Sequence, residues 1–161
     1  MIDLYFVGRF AVRQKRIDRL LELAKLLDNV NFEYRFKIFS EIDIDSDYFE
    51  DFKRNKSFEF LGFKKDWVNF IDEKSIMIFV SDYEGCPLSI LEAYNNSYKK
   101  IAILEIVGVN NYVSTNCICA TIEIMAQKIT SNENLQNSLD LSTYFNKQRF
   151  EDDVQSFYKF I

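Results

Sequence analysis

The chain has 161 residues, enough for one domain with a substantial core, and its 48% apolar and 28% charged residues exclude a disordered chain. A net charge of −5 excludes a general nucleic-acid binder, which needs a basic face, and no apolar run approaches the ~20 residues that span a bilayer. Histidine is absent, so acid–base chemistry run by this chain falls to carboxylates, lysines or cysteine.

From the start, Met1-Ile2-Asp3 carries no charged segment followed by an apolar one, so no secretory signal is read. The run over 2–7 is apolar and β-rich and stops at Gly8, which predicts a buried strand. Over 14–27, Ile17, Leu20, Leu21, Leu23, Ala24 and Leu27 follow helical spacing with one wide apolar face. A second strand is predicted over 34–39. A short helix is predicted over 47–54, with Asp47 and Glu50 at capping-box spacing. A third strand over 57–61 is closed by Gly62, and 65–72 reads as a helical turn or two. The nearly all-apolar run over 75–80 is a fourth strand. Pro87 suits the first turn of a helix over 87–97. Strands over 100–104 and 117–120 follow, then helical segments over 122–129, 132–139 and 148–160.

Strands alternate with helices and are apolar on both faces, which predicts one α/β domain whose parallel sheet is covered on both sides. The three cysteines, Cys86, Cys117 and Cys119, are odd in number and lack disulfide-framework spacing, which fits a reduced, cytoplasmic setting. Cys117-x-Cys119 reads as two strand residues on opposite faces rather than as a metal pair. Asp43-Ile44-Asp45 reads as a solvated turn.

Ligands of such sheets bind at the carboxyl ends of the strands. After the first strand comes Gly8-Arg9-Phe10-Ala11-Val12-Arg13-Gln14-Lys15-Arg16, with four cations close to a helix start. These suit a diphosphate clamp, since Arg grips phosphate oxygens bidentately and Lys supplies a compact charge. A solvated basic helix start is the ordinary alternative. After the fourth strand comes Ser81-Asp82-Tyr83-Glu84-Gly85-Cys86-Pro87-Leu88-Ser89-Ile90-Leu91-Glu92-Ala93. Gly85 permits close backbone approach, and the helix begun by Pro87 offers free amides to an anion. Glu84 and Glu92 suit sugar hydroxyls better than phosphate. An ordinary strand–turn–helix with two surface glutamates is the alternative here.

Together, "SDYEGCPLSILEA" and "FVGRFAVRQKRIDRLLELAKLL" resemble the E-x7-E and VGR…K motifs of family four retaining glycosyltransferases. These are GT-B enzymes built from two Rossmann-like halves. The intervening "FEFLGF" and closing "YFNKQRFEDDVQSFYKFI" follow the family's order, so the resemblance spans essentially the whole chain. It implies a doubly wound parallel sheet of about six strands, and a donor-binding C-terminal domain over 1–161 without the N-terminal acceptor domain. Arg9 and Lys15 match the pair that binds the donor diphosphate and stabilises the departing nucleotide. Glu92 matches the ribose acceptor, and Glu84 the glutamate that faces the donor sugar. Gly85, Cys86, Pro87 and Leu88 match positions that set backbone groups on sugar and phosphate. Phe63 and Lys64 match the place of the base.

The departures are Phe39-Ser40-Glu41 in place of a Gly-rich turn, Gly108 alone where a Gly-Gly pair is common, and Arg16 where a glycine follows the lysine. These alter the fine shape of the phosphate pocket.

What the resemblance implies for chemistry is transfer of a hexose or N-acetylhexosamine with retention, from a UDP-sugar first and a GDP-sugar second. The nucleotide sugar is substrate, with no cofactor and no metal. The implied partners are the enzyme's own acceptor domain and a glycan or lipid-linked acceptor of bacterial surface polysaccharide or lipopolysaccharide, with peripheral membrane association through that domain. The donor half alone is expected to bind nucleotide without transferring sugar. Apolar residues along the boundary to the acceptor domain are expected to be exposed, and the last helix displaced or exchanged between copies. The alternatives are a stand-alone nucleotide-sugar-binding or regulatory subunit and a GT-B epimerase. An epimerase would need further acid–base residues.

Overall fold

The computed structural model describes residues 1–41, 48–84 and 88–142. Six strands, β1 (Ile2–Val7), β2 (Tyr34–Phe39), β3 (Phe58–Phe60), β4 (Ile76–Phe79), β5 (Ile101–Leu104) and β6 (Ile118–Cys119), form one all-parallel sheet. Their order is β3-β2-β1-β4-β5-β6. The chain winds outward from β1 through β2 to β3, then returns to place β4 on the other side of β1. The loops after β1 and β4 therefore leave the sheet in opposite directions and open a crevice between them.

Among the described residues four helices cover the sheet: α1 (Asp18–Asn29), α2 (Phe49–Arg54), α3 (Leu88–Asn95) and α4 (Ile122–Thr130). Alternation along β1 sorts the core. Leu4 and Phe6 face a cluster made with Leu20, Leu23, Ala24 and Leu27 of α1, Phe52 of α2, and Met125 and Ile129 of α4. Tyr5 faces the other cluster, with Met77, Phe79, Ile90 and Leu91 of α3, Trp67 and Val113. Two separate apolar layers explain why β4 and β5 read as continuous hydrophobic runs, whereas β2 and β3 are not apolar on both faces: Arg35 and Lys37 pair with Asp3 of β1, and Arg35 with Glu59.

The strands lie where periodicity predicts them, trimmed by a residue or two at the ends. The helix predicted over 14–27 starts later, at Asp18, because Arg16 takes φ +48°, a left-handed conformation that a right-handed helix cannot continue through. Residues 12–16 instead close one isolated turn, with the Arg16 amide donating to the Val12 carbonyl at 3.1 Å. The turn over 65–72 is a short 3-10 segment, Trp67–Phe70. The N-cap of α2 is Tyr48, whose side chain does not cap the helix, and Asp47 lies outside the described residues.

The helix predicted over 132–139 is not formed. Asn132 takes φ +53° after α4, and the segment runs as irregular chain across the amino-terminal end of β5. The Ile101 amide donates to the Leu135 carbonyl at 3.0 Å, and the Asn137 amide to that of Lys99 at 2.8 Å. Buried Asn137 accepts from the Ser114 amide at 3.0 Å and donates to the Tyr112 carbonyl at 2.7 Å. Asn134 accepts from the Gln136 amide at 3.0 Å. Such local side-chain bonds compete with helix, while Leu135 and, beyond the segment, Leu141 are buried in the two core layers.

Cys117 and Cys119 do fall in opposite layers, but not by strand alternation, which would put residues two apart on one face. Only Cys119 is in β6; Cys117 closes a 3-10 turn, Thr115–Cys117. Burial pushes both thiols up, Cys117 to about 12 and Cys119 to about 11. The predicted last helix over 148–160 and the Asp43–Asp45 turn lie outside the described residues.

Candidate functional site

At the carboxyl end of β1, Gly8 takes φ +146°, a region only glycine enters without strain. A side chain there would also collide with Lys15: an added Cβ would sit 3.3 Å from Lys15 Cε and 3.5 Å from Nζ. The glycine thus lets the lysine fold back across the strand end. Lys15 Nζ then reaches across the crevice to Glu84 Oε1 at 2.6 Å, and Ser81 Oγ donates to the same oxygen at 2.7 Å. Both charged side chains are largely shielded, 17% and 9% exposed, so their attraction is screened less than a surface pair's.

The rest of the two loops is sewn together around this pair. The Asp82 amide donates to the Gln14 carbonyl at 3.0 Å, and Gln14 Nε2 to the Tyr83 carbonyl at 3.3 Å. Asp82 receives Arg16 at 3.1 Å and Arg19 at 2.8 Å, while Arg19 also donates to the Val80 carbonyl at 2.8 Å. Arg9, exposed at the loop start, donates to Gln14 Oε1 at 3.2 Å. The two segments singled out in the sequence therefore form one structural unit.

Beside them opens a cleft of about 980 Å³. Its lining includes Gly8, Arg9, Ser40, Glu41, Phe63, Lys64, Trp67 and Glu92. Arg9 comes from the β1 loop, Phe63 and Lys64 from the loop after β3, and Glu92 from the second turn of α3. Phe63 presents an aromatic ring that is 67% exposed, and Lys64 Nζ lies 5.1 Å from the Phe70 ring centroid. Leu88, the first described residue of α3, is 65% exposed. Gly85, Cys86 and Pro87 lie outside the described residues. Four of the predicted residues thus line the cleft, and Lys15 and Glu84 pair across the β1 and β4 loops. Among the described residues no group of three His, Cys, Asp or Glu is placed to hold a metal ion.

Trp67 and Ser81 were not singled out in the sequence. The indole Nε1–H donates to Glu92 Oε2 at 2.8 Å, and Ser81 fixes Glu84. The signal for Trp67 was present: the chain's one tryptophan, in an apolar setting, must find an acceptor for its N–H. Ser81 is nearly fully buried, and a hydroxyl ending an apolar strand likewise calls for a partner.

Two of the three departures from the motif have a visible outcome. Arg16, standing where a glycine follows the lysine, keeps a left-handed φ and ties itself to Asp18 and Asp82. Gly108 takes φ +84° in the loop after β5.

No curated protein matches the chain. Among solved structures it is similar to a mutant of TarM from S. aureus in complex with Fondaparinux, alpha-GlcNAc-glycerol and UDP, with a TM-score of 0.67 and 22% identity. That likeness, one of fold, covers 80% of this chain and 28% of the TarM chain. The family model for glycosyl transferases group 1 matches residues 2–131, from β1 through α4. The chain therefore belongs to the glycosyl transferases group 1 family and is a GT-B glycosyltransferase domain.

Proposed function

We propose that this domain is the donor-binding half of a retaining glycosyltransferase and holds a nucleotide diphosphate sugar across the crevice between the β1 and β4 loops. The observation that carries the reading is the junction of Gly8, Lys15 and Glu84, which sets a cation and a carboxylate side by side at the topological switch point of the sheet. An ammonium has three donors, and Glu84 takes one; the others serve the diphosphate, with Arg9 beside them at the cleft. Glu84 accepts from hydroxyls of the donor sugar, Glu92 from the ribose, and the base lies toward Phe63 and Lys64. Gly85, Cys86, Pro87 and Leu88 complete the sugar and phosphate contacts.

The difficult step is departure of a charged nucleotide as positive charge builds on the sugar ring. Preorganised cations aimed at that charge contribute on the order of 3 kcal/mol for each well-placed donor. Arg9 and Lys15 supply this without a metal. The donor is a UDP-sugar first, a preference supported by the UDP bound to TarM, and a GDP-sugar second. The acceptor is a glycan or lipid-linked glycan of a bacterial surface polysaccharide, bound by an acceptor half outside these residues, at the cytoplasmic face of the membrane. Exposed Phe63, Tyr83 and Val107, set in loops after β3, β4 and β5, and Leu88 at the start of α3 support an apolar boundary at this end of the sheet.

Calorimetric titration with UDP, GDP and ADP, repeated for Lys15→Ala and Glu92→Ala, tests the reading. Each variant is expected to lose affinity by about tenfold or more, the scale of one hydrogen bond to a charged group. Unchanged affinity in both removes the site.

A further inference from the structure

The cleft contains one contact that the donor-site reading does not use. Trp67 opens the 3-10 turn after β3, its ring 3% exposed and packed against Tyr5 and Phe39 at centroid distances of 5.6 and 6.2 Å. These two aromatic neighbours fix the plane of the indole, and with it the direction of the Nε1–H. That donor holds Glu92 Oε2 at 2.8 Å, on a helix that belongs to the other half of the sheet. Among the described residues Glu92 Oε1 has no hydrogen-bond partner, and both residues line the cleft. A glutamate on a helix surface otherwise samples several rotamers, so an immobile donor on one oxygen defines where the second oxygen stands.

We propose that Trp67 is the positioning residue for Glu92: its N–H holds Oε2 so that Oε1 meets the ribose hydroxyls of the donor, making Trp67 a determinant of ribonucleotide over deoxyribonucleotide donors. This rests on the assignment of Glu92 to the ribose. A hydroxyl that strikes a fixed, charge-bearing acceptor is worth more than one that must first order it, and a site built for a hydroxyl rejects the ligand lacking it. Phosphate binding at Lys15 and Arg9 does not pass through this contact.

Trp67→Phe keeps the ring and removes the donor, and three probes read its effect: UDP, 2′-deoxy-UDP and inorganic pyrophosphate. The unmodified protein is expected to prefer UDP over 2′-deoxy-UDP by about tenfold or more. In Trp67→Phe that preference falls to about threefold or less while pyrophosphate affinity stays within about twofold. Glu92→Ala abolishes the preference. If Glu92→Ala abolishes it and Trp67→Phe retains it, the positioning role is overturned and the donor site stands. If Glu92→Ala leaves the preference intact, both fall. An equal loss for UDP and pyrophosphate in Trp67→Phe marks a merely structural ring and overturns the proposal. Trp67 is the sole tryptophan, so its fluorescence decides the matter should that variant not fold. Saturating UDP must shift the emission of the unmodified protein more than 2′-deoxy-UDP does, and equal shifts overturn the proposal.

Discussion

Gly8→Ala perturbs the junction of the site through the backbone alone. At φ +146° an alanine costs about 1–3 kcal/mol, since that region is populated almost only by glycine. For a domain of this size each kcal/mol moves the melting temperature by about 2–4 °C, so the variant is expected to melt about 2–12 °C lower by far-UV circular dichroism. The new Cβ also stands 3.3 Å from Lys15 Cε, closer than packed carbons sit, so the lysine must give way by a few tenths of an ångström. Because Nζ is held at 2.6 Å by Glu84, that displacement passes to the ion pair, and affinity for UDP is expected to fall as well. Gly108→Ala is the control: φ is +84°, and no atom lies within 4 Å of its added Cβ. It should lose stability on a similar scale and keep its affinity. A Gly8→Ala protein that melts with the wild type would refute the strain argument. Equal nucleotide affinities in the two variants would refute the contact between Gly8 and Lys15.

Two further predictions follow from the same geometry. Arg16→Gly releases a left-handed strain of about 1 kcal/mol and loses partly exposed ion pairs worth about 0–1 kcal/mol each, so it should be at least as stable as Arg16→Ala in urea unfolding, although glycine ordinarily costs more than alanine. A more stable alanine variant contradicts this. The buried thiols make the fold alkali-sensitive: their folded values lie near 12 and 11 against an ordinary 9.0, so their contribution is full below pH 9.0 and is lost as pH rises through the folded values. The loss is about 1.4 kcal/mol per pH unit for each thiol, and Cys117→Ala should flatten the stability profile above pH 9.0 measured by denaturant unfolding.

Much of the architecture was legible in the sequence because the central strands β4 and β5 are buried throughout and the strands are separated by glycine or polar breaks. The Val7–Gly8 and Val80–Ser81 boundaries marked the two loops that build the site. Legibility failed where left-handed residues overrode hydrophobic spacing. Arg16 delayed α1, although the motif itself has glycine there, and Asn132 with Asn134 and Asn137 turned the segment over 132–139 from the predicted helix into a strap across the start of β5. The Lys15–Glu84 pair joins residues 69 apart in sequence, a proximity that follows from β1 and β4 being neighbours and not from either motif. The sequence says that the Trp67 N–H needs an acceptor, but not that the acceptor is Glu92, because spacing does not encode the direction of one N–H bond.

A crystal structure of the protein with UDP tests the central claim most directly. The account predicts the diphosphate against Lys15 and Arg9, the ribose hydroxyls within hydrogen-bond distance of Glu92, and the base toward Phe63 and Lys64. A nucleotide bound away from the crevice between the β1 and β4 loops, or one whose phosphates avoid Lys15, would contradict it.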